Sequence, residues 1–102
     1  MRERMSGPRA SAYRVVQDMH RVYKAPLPSL EKSVLLAIVA LLEAERRVEV
    51  RVADIAAYCS LSVRAVQRAL AELDHAGLVV RHVSEGHPSV YSLRLDRLPV
   101  AE

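Results

Sequence analysis

The segment from Ser62 to Gly77 restricts the possible folds of this chain more than any other part of the sequence. At about 100° per residue, four apolar side chains of the segment fall within one arc of roughly 80°: Val63, Val66, Leu70 and Leu73. Ser62 can accept hydrogen bonds from the first amides of a helix, and Gly77 can adopt the left-handed backbone that ends one. The segment therefore predicts a helix from Val63 to about His75 with one face in a core.

The rest of the chain predicts a mainly α-helical protein with a small β-hairpin. We expect three helices before the central helix. The first covers residues 9–24, the second has Ser29 as its N-cap and ends at about residue 46, and the third covers residues 53–59. Alternating residues over 48–52 predict a short half-buried strand. After the helix, strands are expected over 78–84 and 90–95, joined by a five-residue loop over 85–89.

The composition predicts an aliphatic core. The 102 residues include no Phe or Trp and only four Tyr, which argues against modules that stack single-stranded bases on aromatic rows. Tyr58 is expected to pack against the central helix, and Tyr91 to close the hairpin onto the core. The longest apolar stretch, 34–42, is too short to span a membrane, and the N-terminus lacks a secretory signal. We expect a cytoplasmic, nucleoid-associated protein.

The positive charge is concentrated at the N-terminus. Residues 1–24 carry six basic and two acidic side chains, whereas residues 60–102 carry five of each sign. The N-terminal quarter can therefore attract a polyanion, or it can be a solvated arm that aids solubility.

The outward side of the central helix has the residue types that read a DNA major groove. Arg64, Arg68, Ala71 and His75 lie opposite the apolar arc, and Gln67 lies between the two sides. Arginine can donate two hydrogen bonds to guanine, and glutamine can pair with adenine. Small residues such as Ala65 let the backbone come close, and Ser62 with the first free amides can bind a phosphate.

Three stretches of the chain resemble winged helix-turn-helix domains of bacterial, phage and plasmid transcription regulators and replication initiators. They are SLEKSVLLAIVALL, VADIAAYCSLSVRAVQRALAELDHAGLVVR and SVYSLRL, and the resemblance extends from Leu30 to Leu95, about two thirds of the chain. The resemblance implies a three-helix core plus a wing, with an extra N-terminal helix. Together with the turn residues Gly7-Pro8 and the prolines at 26 and 28, it divides the chain into a flexible leader (1–8), a basic helix (9–26), the winged helix-turn-helix domain (27–97) and a tail (98–102).

The resemblance also implies which residues contact double-stranded DNA. In the recognition helix (62–75), the base-contacting residues are Ser62, Arg64, Ala65, Gln67 and Arg68. In the wing (78–95), the residues at the backbone or minor groove are Arg81, His82, His87 and Ser89. The hairpin loop departs from basic wings because it holds Glu85, and binding is expected to strengthen below about pH 6.5 as the histidines become protonated.

The N-terminal helix has two possible uses. Its stripe of Tyr13, Val16, His20 and Tyr23 can pair with a second copy, which gives a homodimer or a cooperative assembly on DNA. Alternatively the helix packs on its own domain and directs arginines toward DNA phosphates: Arg9, Arg14 and Arg21.

No pattern in the sequence indicates an enzyme, a cofactor, a metal or a small-molecule ligand. His75, His82 and His87 have no carboxylate or thiolate partner at metal-binding spacing. The only cysteine, Cys59, is expected to be a small buried residue, and no glycine-rich phosphate loop is present. Three functions remain open: a small transcription regulator, a replication or partition factor, and a winged helix used for protein binding.

Overall fold

A computed structural model describes residues 8–99, which form four α-helices and a three-stranded antiparallel sheet. Residues 1–7 of the expected leader and 100–102 of the expected tail lie outside the described residues. The elements, in chain order, are α1 (Pro8–Lys24), α2 (Ser29–Ala44), β1 (Val50–Arg51), α3 (Val52–Cys59), α4 (Val63–His75), β2 (Val79–Ser84) and β3 (His87–Leu93), followed by a 3₁₀ turn at Leu95–Arg97. No helix among these residues is long and apolar enough to cross a bilayer.

The core is aliphatic, as the composition predicts, and α2 lies at its centre. α2 packs against α1, α3 and α4, and α4 also contacts β2. Tyr91 on β3 is the only aromatic residue among the buried side chains of the described chain. Its burial agrees with the prediction that Tyr91 packs the hairpin onto the core. The fully buried larger side chains are Val22, Val34, Leu35, Ile38, Val50, Ile55, Val66, Leu70, Leu73, Leu78 and Val79.

α1 packs on its own domain with a different face from the predicted stripe. Val22 is buried, and Val15 and Met19 pack partly against the core. The connection after α1 fixes this orientation, since Ala25 is buried and its amide donates to the carbonyl of Val22 at 3.1 Å. The stripe of Tyr13, Val16, His20 and Tyr23 therefore remains exposed.

The predicted cap of α2 is wrong. Pro28, with ψ at 154°, occupies the N-cap position, so Ser29 is already helical and makes no side-chain cap. The helix also ends at Ala44, two residues before the predicted end. Arg46 adopts a left-handed φ of 52°, and the amide of Arg47 bonds the carbonyl of Leu42 at 3.0 Å, which closes the last turn.

The strand predicted over 48–52 is reduced to the two residues of β1. Val50 pairs with Tyr91 and Arg51 with Val90 on β3, and the chain turns into α3 at Val52. The expectation that Tyr58 packs against the following helix is also wrong, since its side chain is 58% exposed. Ile55 and Ala56 supply the buried face of α3 instead.

The hairpin is tighter than predicted, because β3 begins at His87 rather than at 90. Glu85 and Gly86 alone form the loop, and Gly86 has a φ of 78° that suits a two-residue turn. The register is interrupted between His82 and Ser84, where Val83 faces two residues of β3. One of those two is Pro88, which has no amide to donate, so the bulge accommodates a residue that a regular ladder rejects.

Candidate nucleic-acid interface

α4 is held at both ends and along one side, which fixes the directions of its remaining side chains. The Ser62 hydroxyl accepts from the amide of Ala65 at 3.0 Å, and Gly77 follows the helix with a φ of 79°, as predicted. Val66, Ala69, Leu70 and Leu73 are buried, whereas Val63, which was predicted to be part of the core face, is 49% exposed. Val63 is exposed because it is in the first turn, where it borders a cleft between α4 and the hairpin.

The outward side of α4 carries two arginines one turn apart. Arg64, Gln67 and Arg68 are all exposed. Within residues 8–99, no carboxylate lies within ion-pair distance of the Arg64 or Arg68 guanidinium. Other arginines among these residues do form ion pairs with carboxylates: Arg21, Arg47, Arg51 and Arg94. Two like charges at positions i and i+4 of a helix destabilise it by about 0.2–0.5 kcal/mol. This side of α4 is therefore a surface that an anion would stabilise.

A cleft of about 410 Å³ connects the first turns of α4 with the sheet. Its lining includes Gln67 from α4, Arg81 from β2 and Arg51 from β1, and contains no carboxylate side chain. The remaining lining residues are Val52, Ala53, Val63, Pro88, Ser89 and Tyr91. The cleft therefore continues the cationic side of α4 toward the hairpin.

Arg81 and Ser89 are held together on the side of the hairpin that faces α4. The Arg81 Nε donates to the Ser89 hydroxyl at 3.2 Å, which orients the guanidinium across the two strands. His82 follows Arg81 in an extended strand and so points to the opposite face of the sheet. There its Nε2 lies 2.9 Å from the Ser92 hydroxyl, in a hydrogen bond whose direction depends on the tautomer. His87 is exposed at the start of β3.

Arg51 is a member of the site that the sequence analysis missed. Its Nε lies 4.0 Å from Asp54, whose carboxylate accepts a 2.9 Å hydrogen bond from Arg47 instead. That hydrogen bond from Arg47 lowers the pKa of Asp54 below its usual value and raises the pKa of Arg47. Asp54 is therefore ionised and paired mainly with Arg47, which leaves Arg51 with only a long ion pair beside the cleft.

The structure brings together some of the predicted contact residues and separates others. Arg64, Gln67 and Arg68 share the exposed side of α4, and Gln67, Arg81 and Ser89 meet at the cleft. Ala65 is half-buried, and the Ser62 oxygen is occupied by capping. Arg14 is exposed on α1 and does not line the cleft, and the side chain of Arg9 lies outside the described part of the chain.

Two further features bear on other chemistry. In residues 8–99, no three His, Cys, Asp or Glu side chains are grouped closely enough to hold a metal ion. Cys59 is half-buried, with its Sγ 3.9 Å from the carbonyl oxygen of Ser33, and burial raises the pKa of its thiol. A raised pKa favours the neutral thiol over the reactive thiolate.

Comparisons with protein-family models, with curated proteins and with solved structures give no significant match to this chain. The functional argument therefore rests on the side chains of α4, the cleft and the hairpin.

Proposed function

We propose that the chain is a winged helix-turn-helix domain that binds double-stranded DNA, with α4 in the major groove and the β2–β3 hairpin as the flanking wing. One observation carries the proposal: Arg64 and Arg68 project together from a helix whose other side is buried, without a carboxylate partner in the described residues. A major groove admits one α-helix, and its guanines accept two hydrogen bonds from an arginine.

The cleft supplies the second half of the argument. Arg51 and Arg81 line it beside Gln67, with the Arg81 side chain oriented by Ser89. Cations at this position suit a phosphate that follows the edge of the groove, whereas Arg64 and Arg68 suit base edges. The α4 arginines would therefore give sequence preference, and the cleft arginines would give affinity and register.

We favour the role of a small transcription regulator for this domain. A replication or partition factor would use the same interface. The position of the bound sequence in the genome, rather than the geometry of binding, distinguishes these roles. A protein-binding module is the second candidate, and Val83, which is 69% exposed beside Glu85 on the hairpin, favours it.

Salt dependence of binding to a duplex of random sequence tests the proposal. Fluorescence anisotropy with a labelled duplex of about 20 base pairs should show affinity falling steeply as salt rises, with a log–log slope of about −0.9 per phosphate contacted. Arg51→Ala and Arg81→Ala should each reduce the slope by about 1. Arg94→Ala is the matched control, because Arg94 is exposed but does not line the cleft, and it should leave the slope unchanged. No binding at low salt would refute the proposal and favour the protein-binding module.

A further inference from the structure

α1 exposes an apolar ridge that the core of the chain does not use. The ridge consists of Tyr13, Val16, His20 and Tyr23, and we call it the α1 ridge. Tyr13 and Val16 are each 63% exposed and Tyr23 is 62% exposed. We propose that the α1 ridge pairs with the α1 ridge of a second copy, with the two helices antiparallel about a two-fold axis.

The surface beside the ridge favours a protein partner over solvent. Met19 borders the ridge and also lines an apolar groove of about 280 Å³ between α1, α2 and α3. The other lining residues are Leu30, Ser33, Leu36, Ala37, Ala40, Tyr58, Cys59 and Leu61, none of which carries a fixed charge. A partner that covers this surface buries no unpaired ion, which would otherwise oppose association.

The spacing of the ridge favours a second copy of the chain as that partner. Successive ridge residues are separated by three, four and three positions, so the pattern reads the same in both directions. In an antiparallel pair centred between Val16 and His20, Tyr13 faces the partner's Tyr23, and Val16 faces the partner's His20. A two-fold interface requires this reciprocity.

Two arginines of α1 lie away from the ridge. Arg14 and Arg21 lie roughly 130° around the helix from the centre of the ridge. Arg21 is also held elsewhere, because it donates to the carbonyl of Leu95 at 2.9 Å and lies 3.7 Å from Asp18. Neither arginine needs to lose its hydration when two ridges meet. The residues of the ridge and the groove do not line the cleft at α4, so pairing leaves the candidate DNA interface free.

The exposed area predicts a weak, reversible dimer. At about 200 Å² per tyrosine side chain, Tyr13 and Tyr23 together expose about 250 Å², to which Val16 and His20 add. A pair of such ridges buries less than the roughly 1,200 Å² of a stable specific interface. We therefore expect a dissociation constant on the order of 0.1 mM in the absence of DNA.

Sedimentation equilibrium of the full chain over a concentration range that brackets this constant tests the pairing, whether or not the chain binds DNA. Val16→Lys should weaken self-association at least about tenfold, because the ammonium would face the partner's His20 and the dimer would bury a cation with no carboxylate opposite it. Val48→Lys is the matched control, since Val48 is 78% exposed and outside the ridge, and it should self-associate like the unaltered chain. A chain that remains monomeric at millimolar concentration, or equal effects of the two substitutions, would overturn the proposal. A monomeric chain at millimolar concentration would mean that the α1 ridge does not bind a second copy and is available to a different partner.

Disulfide trapping tests the antiparallel geometry and does not depend on the stability of a charged variant. Tyr13→Cys and Tyr23→Cys chains, each also carrying Cys59→Ser, would be mixed in equal amounts and oxidised. The proposal predicts that the mixed disulfide, which joins position 13 of one chain to position 23 of the other, makes up clearly more than half of the disulfide-linked product, which is the share that random pairing gives. A predominance of either symmetric product, or a statistical mixture, would contradict it.

Discussion

Removal of the α4 cap should destabilise the protein, whereas the same substitution at the start of α2 should not. The Ser62 hydroxyl lies 3.0 Å from the amide of Ala65, within the usual range for a hydrogen bond to an amide. Ser29, which resembles a cap in the sequence, makes no such bond because Pro28 occupies the N-cap position. Loss of a serine cap costs about 1 kcal/mol. Because Ser62 is exposed, water can hydrate the freed amide, so we expect a value near this average rather than a larger one.

Thermal and urea unfolding of Ser62→Ala and Ser29→Ala, measured side by side, would test this difference. For a domain of about 100 residues, 1 kcal/mol corresponds to a decrease in Tm of about 4–8 °C. Ser62→Ala should show this decrease with an unchanged urea m-value. Ser29→Ala should change the free energy of unfolding by less than about 0.5 kcal/mol, because alanine is the better helix former. Equal losses in the two variants would refute the assignment of the caps.

Three further predictions concern the core, an ion pair and the thiol. Leu70→Ala should lower the free energy of unfolding by about 2–5 kcal/mol because Leu70 is fully buried, whereas Val63→Ala on the same helix should cost far less, as urea unfolding would show. The pKa of Asp54 is lower in the folded chain than the value of about 3.9 in the unfolded chain. Ionised Asp54 therefore contributes its whole stabilisation at pH values above the unfolded pKa of about 3.9, and this stabilisation is lost as the pH falls through the pKa of the folded chain. Asp54→Asn should remove this part of the acid dependence of Tm, and an unchanged profile would contradict the pairing. Burial raises the pKa of Cys59, so a disulfide reagent at pH 8 should react with it more slowly than with a cysteine in unfolded peptide, and faster reaction would contradict that shift.

The local signals of α4 were strong enough to predict it from the sequence. Its apolar arc, its serine cap and the glycine after it all indicate the same helix, and the structure has that helix from Val63 to His75. Agreement among independent local signals is what makes such a prediction secure. The exposure of Val63 was not predictable in this way, because it depends on where the hairpin lies relative to the first turn of α4.

Several errors occurred where contacts between different segments of the chain decide the outcome. The hairpin loop was predicted too long because Pro88 reads as a turn residue, whereas a bulge lets β3 include it. Both faces of α1 carry apolar residues, and the sequence does not indicate that the face with Val22 is the one that packs. Arg51 was missed because its place beside the cleft depends on the pairing of β1 with β3, which are almost 40 residues apart in the sequence.

Selection of bound duplexes from a random pool, followed by affinity measurements with Arg64→Ala and Arg68→Ala, tests the DNA-binding proposal most directly. If these arginines reach base edges, each substitution should cost about 1–3 kcal/mol on the selected duplex and clearly less on a scrambled duplex of the same composition. A pool in which no sequence is enriched, or equal losses on both duplexes, would contradict the proposal that α4 reads sequence.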